Sequence, residues 1–214
     1  GGTLELNYAS TKGFNAVIFN YGTLTINDGE FKQTVKTAKY YFAQVIHTDK
    51  SGNSAPQTKI LGGTFTNAMS NTSAMVVRET NAAAGSTMVT GGKFNKSVTS
   101  SYLKNGYATA KKDGYYQLAT AITSVTLNTT EVNLKGGETF QLQITAKEPA
   151  DAEVQTVTYG TSGSSGAASV SKTGIITANK AGTITVLVTP AGSGATPAEC
   201  TVNVVDGDAA IGNK

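Results

Sequence analysis

The sequence predicts an all-β protein with two domains: a coil of stacked parallel strands over residues 1–120, then a β-sandwich over residues 121–214. Three observations predict it. Threonine and glycine are abundant, 33 and 24 of 214 residues, and sustained helix-forming runs are missing. Over residues 1–120, a pair of short β-prone runs recurs roughly every 30 residues, the signature of a repeat architecture. Over residues 121–214, short apolar runs alternate with turn signals at the spacing of a sandwich.

The repeats come first. Gly2-Thr3-Leu4, Gly29-Glu30-Phe31, Gly63-Thr64-Phe65 and Gly92-Lys93-Phe94 share a Gly-x-apolar pattern at spacings of 27, 34 and 29 residues. Ala16 to Asn20, Ala43 to His47 and Ala74 to Arg78 precede the last three. Neither run forms a stable sheet alone. Stacked units pair equivalent strands in parallel and bury their apolar residues in continuous columns. Glycine suits the corners, where the chain turns sharply or backbones approach closely. The inward set is expected to be Leu4, Leu6, Val17, Phe19, Leu24, Ile26, Phe31, Val45, Ile60, Phe65, Met75, Val77, Met88 and Phe94. The uneven spacing falls to loops that leave the coil, Asp49 to Gln57 and Asn81 to Ser86.

This pattern resembles the short right-handed parallel β-helices of bacterial surface proteins and phage structural proteins. Ser97 to Leu103, Asn105-Gly106-Tyr107 and Asp113-Gly114-Tyr115-Tyr116 are similar to the closing segment of such repeats, a helical turn and a hairpin over the last rung. Gly1 opens inside a repeat. An exposed parallel edge templates aggregation. The expectation is therefore a cover: an upstream segment or a closed homo-oligomer.

Composition and charge shift near Ala119–Thr123. Residues 1–120 carry twelve cations against six acids, and residues 121–214 five against eight, within an overall +3. This marks a domain boundary. Beyond it come Val125-Thr126-Leu127, Val132-Asn133-Leu134, the turn Lys135 to Glu138, Phe140 to Ile144, Val154 to Tyr159, Ser169-Val170, Ile175-Ile176-Thr177, Ile184 to Val188 and Cys200 to Val205. In order, Val132 to Thr139, Val170 to Ala178, Lys180 to Val186 and Cys200 to Val204 resemble the bacterial Ig-like domain group 2 family, over Ser124 to Val205. Tyr159 stands where that family usually has Trp, and Gly160 to Gly166 is a looser stretch than its norm. The resemblance implies an Ig-like sandwich used as spacer, stalk or adhesive unit outside the cell or on a virion. It brings no catalytic residues.

The chemistry is sparse. A single Cys200 excludes disulfide scaffolds and, with a single His47, zinc sites of the cysteine-rich kind. His47 is expected to face outward from its strand, and Cys200 to be a buried, inert thiol. Asp28 and Glu30 are the close acidic pair of the repeats, with no acid at the matching places near Gly63 and Gly92. Glycoside cleavage needs paired carboxylates. Arg78 is the only arginine, which argues against nucleic acid, whose phosphates and bases suit bidentate guanidinium contacts. No apolar run approaches the length of a membrane span, and phosphate-loop, EF-hand and dinucleotide motifs are missing. Lys39-Tyr40-Tyr41-Phe42, Tyr102, Tyr107, Tyr115 and Tyr116 are candidate sugar-stacking aromatics, with core and cap packing as their plainer role. The loop from Asp49 to Gln57 is a candidate binding loop.

The expected function is a non-catalytic extracellular structural or adhesion protein of the bacterial surface. Surface glycans or other surface or virion proteins are its expected partners. No catalytic or metal residue, cofactor, nucleic acid or membrane insertion is assigned, and binding residues are left open. The alternatives are a phage virion decoration or head-fibre protein and a carbohydrate-active β-helical enzyme.

Overall fold

The computed structural model describes residues 2–6, 15–36, 43–70, 75–163 and 165–206. The chain divides into two compact units, Gly1–Ala119 and Thr120–Lys214.

In the first unit the first three repeats supply strands to three sheets, and the fourth supplies one strand to the first of them. The first sheet holds β1 (Thr3–Leu6), β4 (Glu30–Gln33), β7 (Thr64–Asn67) and β10 (Lys93–Phe94). The second holds β2 (Asn15–Asn20), β5 (Ala43–Asp49) and β8 (Val77–Thr80), and the third β3 (Thr23–Ile26), β6 (Gln57–Ile60) and β9 (Thr87–Val89). Within each, strands of successive repeats pair in parallel. Leu4, Phe31, Phe65 and Phe94 fall in one register column. The three phenylalanine rings stack at 5.0 Å centroid spacing, within 7° and 11° of parallel. Gly63 precedes this column with φ +101, and a Cβ there would lie 3.0 Å from the Gly29 carbonyl oxygen, so the corner admits only glycine.

A hairpin covers the last repeat. After a 3₁₀ turn at Ser100–Tyr102, β12 (Tyr115–Thr120) pairs antiparallel with β10, and β11 (Tyr107–Lys112) lies beyond it. The Asp113-Gly114 turn between them has positive φ at both residues, matching the two-residue hairpin that sheet twist favours.

The structure corrects the inward set at three positions. Leu4, Phe19 and Met88 are exposed. Ile18 pairs with Ile46, and Ile46 with Val77, so the core face of the second sheet runs through these residues and Phe19 faces away. One residue of register moves a side chain to the opposite face. A bulge adds to the shift: the Val45 and Ile46 amides both donate to the Val76 carbonyl, and Val45, Ile46, Val76 and Val77 are all buried. The side chain of Leu6 lies outside the described residues.

The second unit has β13 (Ser124–Leu127) paired with β16 (Ile144–Glu148), a sheet of β15 (Thr139–Gln141), β19 (Ile175–Ala178) and β18 (Ala168–Val170), and a four-stranded sheet. The last is ordered β14 (Glu131–Lys135), β21 (Ala198–Val205), β20 (Gly182–Pro190), β17 (Val157–Ser162). β14 joins β21 in parallel, and the other pairs are antiparallel. Leu134, Val186, Val202 and Val204 from one sheet meet Leu142, Ala168 and Ile176 in one apolar core. Alternation along β20 and β21 places every second residue in it. Tyr159 packs against this core, beside Gly174.

Candidate functional site

The second sheet of the first unit ends in a corner where the repeats differ most. In the first repeat, Tyr21 and Gly22 alone link β2 to β3. In the next two, residues 50–56 and 81–86 form longer loops at the matching corner. Lys50, Ser54, Pro56, Gln57, Asn81 and Ser86 help line a pocket of about 290 Å³ between these loops. The Gln57 amide donates to the Gly22 carbonyl at 2.7 Å, so the short corner and the pocket are joined.

Beneath the corner, hydroxyls and an amide fill the interior. Asn20 Nδ2 donates to Thr58 Oγ1 at 2.8 Å, Thr58 and Thr48 hydroxyls lie 2.6 Å apart, and Thr87 Oγ1 donates to Thr48 at 3.1 Å. All four residues are buried. Buried polar groups need such partners. The network fixes the corner from which the loops leave.

His47 is buried rather than outward and solvated. It does lie on the face opposite the core, but the Phe19 ring covers it at 5.1 Å. Its Nε2 is 2.7 Å from Thr80 Oγ1, Thr80 donates to Asp49 Oδ1 at 3.0 Å, and Asn81 donates to the same oxygen at 3.1 Å. Burial pushes the imidazole below its usual pKa; Asp49 opposes this and Arg78 adds to it. Arg78 stands in register with His47.

Sequence reasoning missed the aromatic pair on this corner. Phe19 and Tyr21 are 37% and 46% exposed, with ring planes within 5° and centroids 6.2 Å apart. Phe-Asn-Tyr followed by glycine carried the signal: two aromatics, two positions apart, at the end of a β-prone run and the start of its turn.

The other candidates do not converge. Glu30 is held by Lys32 at 2.8 Å and Thr3 at 3.1 Å, which keep its carboxyl below the usual range. Asp28 lines a separate groove with Gly63, Lys93 and Gln117. Tyr102 offers no platform: its hydroxyl accepts the Glu79 amide at 3.0 Å and its ring packs on the core, as does that of Tyr116. Tyr107 lies under the Lys104 ammonium at 5.3 Å and lines a pocket of about 540 Å³ with Met88 and Leu103. Tyr115 is half-buried. Lys39 to Phe42 fall outside the described residues. Cys200 is a buried free thiol, its pKa raised by burial and by Glu131. Among the described residues no group of three or more His, Cys, Asp or Glu is placed to hold a metal, and no helix is long and apolar enough to cross a membrane.

Residues 121–202 match the bacterial Ig-like domain (group 2) family. Domains of this family are typical of bacterial surface and extracellular proteins. No curated protein matches the chain.

Proposed function

We propose that the chain is a non-catalytic structural and adhesion protein of the bacterial surface, in which residues 1–120 wind as a short right-handed parallel β-helix that presents the corner loops. The group 2 match over residues 121–202 carries the surface assignment. The parallel pairing of three sheets from repeat to repeat supports the coiled body. A stack of this kind holds loops at fixed spacing, as binding loops require.

Antibody labelling of intact producing cells tests the reading. Label on unpermeabilised cells is the expected result. Label only after permeabilisation rejects surface display, and label confined to released virions replaces the cell wall by a phage particle. Incubation with pectin and alginate should leave both polymers at full length; depolymerisation would make the protein an enzyme.

A further inference from the structure

We infer that Phe19 and Tyr21 form a stacking platform for a neutral, flat β-linked glycan chain, with the pocket between the two corner loops as its polar end. This rests on the adhesion reading above and gives it a ligand class.

Two adjacent aromatic rings stay 37% and 46% exposed on a unit in which Phe65 and Phe94 are fully buried. They are also not loose. Phe19 rests on the His47 ring, and His47 is tied through Thr80 to Asp49 and Asn81. A platform locked from below loses little rotamer freedom on binding.

The orientation selects the ligand. The Phe19 ring at the end of β2 and the Tyr21 ring in the turn after it lie parallel, 6.2 Å apart, and parallel rings suit a partner that is itself flat and extended. A chain of equatorially linked pyranoses presents successive apolar C–H faces in a ribbon. An α-linked chain curves away from such a surface. An aromatic ring with a polar tip accommodates the C–H face and the hydroxyl rim of a sugar together.

The surroundings supply the hydroxyl partners. Asn20 pairs with Thr48, one residue before Asp49, so the Tyr21 corner and the start of the first loop are neighbours. Asp49 Oδ1 takes both bonds from Thr80 and Asn81, and a carboxylate retains acceptor capacity beyond two bonds. Lys50, Ser54 and Gln57 line the pocket that follows. A few polar groups beside an apolar floor fix orientation in small-ligand sites.

Titration calorimetry of the full chain against cellopentaose and chitopentaose, with maltopentaose as the contrast, tests the site. Saturable binding of a β-linked ligand is expected, with maltopentaose weaker. Tyr21→Ala should weaken binding about three- to tenfold, the range of one aromatic contact, with melting unchanged, and Phe19→Leu should weaken it over the same range. Tyr21→Phe should stay within about threefold. No binding of either β-linked ligand, maltopentaose binding as tightly, or affinity indifferent to Tyr21→Ala overturns the site. Cell labelling is independent of all three: labelled cells with no glycan binding defeat the platform and leave the surface role, whereas unlabelled cells defeat the role itself.

Discussion

The first unit buries amides, hydroxyls and an imidazole, and the second buries hardly any. Asn15, Asn20, Gln33, Gln44, His47, Thr48, Thr58, Asn67, Ser86 and Thr87 are buried in the first; among the described residues of the second, Ser193 alone joins them. The second is filled by valine, isoleucine, leucine and alanine from two facing layers. Stacking explains the contrast. Strands of successive repeats lie in register, so buried polar groups can meet a partner of the next repeat, as Asn20 meets Thr58 and Thr87 meets Thr48. Asn95 reaches the preceding repeat through its backbone: the Asn67 backbone amide donates to Asn95 Oδ1 at 2.9 Å, and Asn95 Nδ2 donates to the Asn67 backbone carbonyl at 3.0 Å. Strands of the second unit have no such repeat beside them, and an unpaired polar group in its core would cost about 1–3 kcal/mol. Stability in the first unit is therefore spread along columns, and in the second it is concentrated in one apolar layer.

Phe65→Asp should separate the two units most clearly. Its ring lies fully buried between those of Phe31 and Phe94. An unpaired charge there costs several kcal/mol, roughly the stability of a whole domain. Calorimetry should show the loss of one thermal transition and the persistence of the other. Two transitions at their original temperatures would mean that the column is not the core of the first unit.

Ile176→Ala is the counterpart in the second unit, where Ile176 is fully buried. Removing its branched chain should cost about 2–5 kcal/mol and lower only the second unit's melting. Chemical denaturation that resolves both units checks this, and a shift in the first would deny their independence.

Thr48→Val is a smaller and more specific change. It leaves Thr58 and Thr87 without a shared buried partner, for an expected loss of about 1–3 kcal/mol. Thr48→Val combined with Thr58→Val should cost less than the sum of the two single changes, since they share one network. Additive losses would show that the hydroxyls act separately.

The smallest effect is in pH. Burial lowers the His47 pKa from 6.5 in the folded state. Below that value the unfolded chain binds a proton that the native chain does not, so stability falls as pH drops from about 6.5 toward the folded pKa. Above it this group contributes no slope. The second unit has no histidine and should stay level across the upper end of this window. Melting curves of wild type and His47→Gln measure it: the replacement should flatten the slope of the first unit, and an unchanged slope would assign the dependence to another group.

The all-β class, the repeating Gly-x-apolar element and the Ig-like character of residues 121–202 were legible in the sequence, because these depend on local pattern. A glycine at each corner, alternation in Ile184 to Val188 and an Asp-Gly hairpin turn are readable without knowing what lies across the core. The faces and the site emerged only with the folded chain. Val45 and Ile46 are both buried because two amides share one carbonyl of the next repeat, a bulge that no alternation within Ala43 to His47 encodes. His47 reads as a surface residue until Phe19, 28 positions earlier, is laid across its ring. The pocket between residues 50–56 and 81–86 exists because parallel stacking places two separate loops at the same corner. Pattern along the chain sets which elements form; the register between chain segments sets which side chains they bring together.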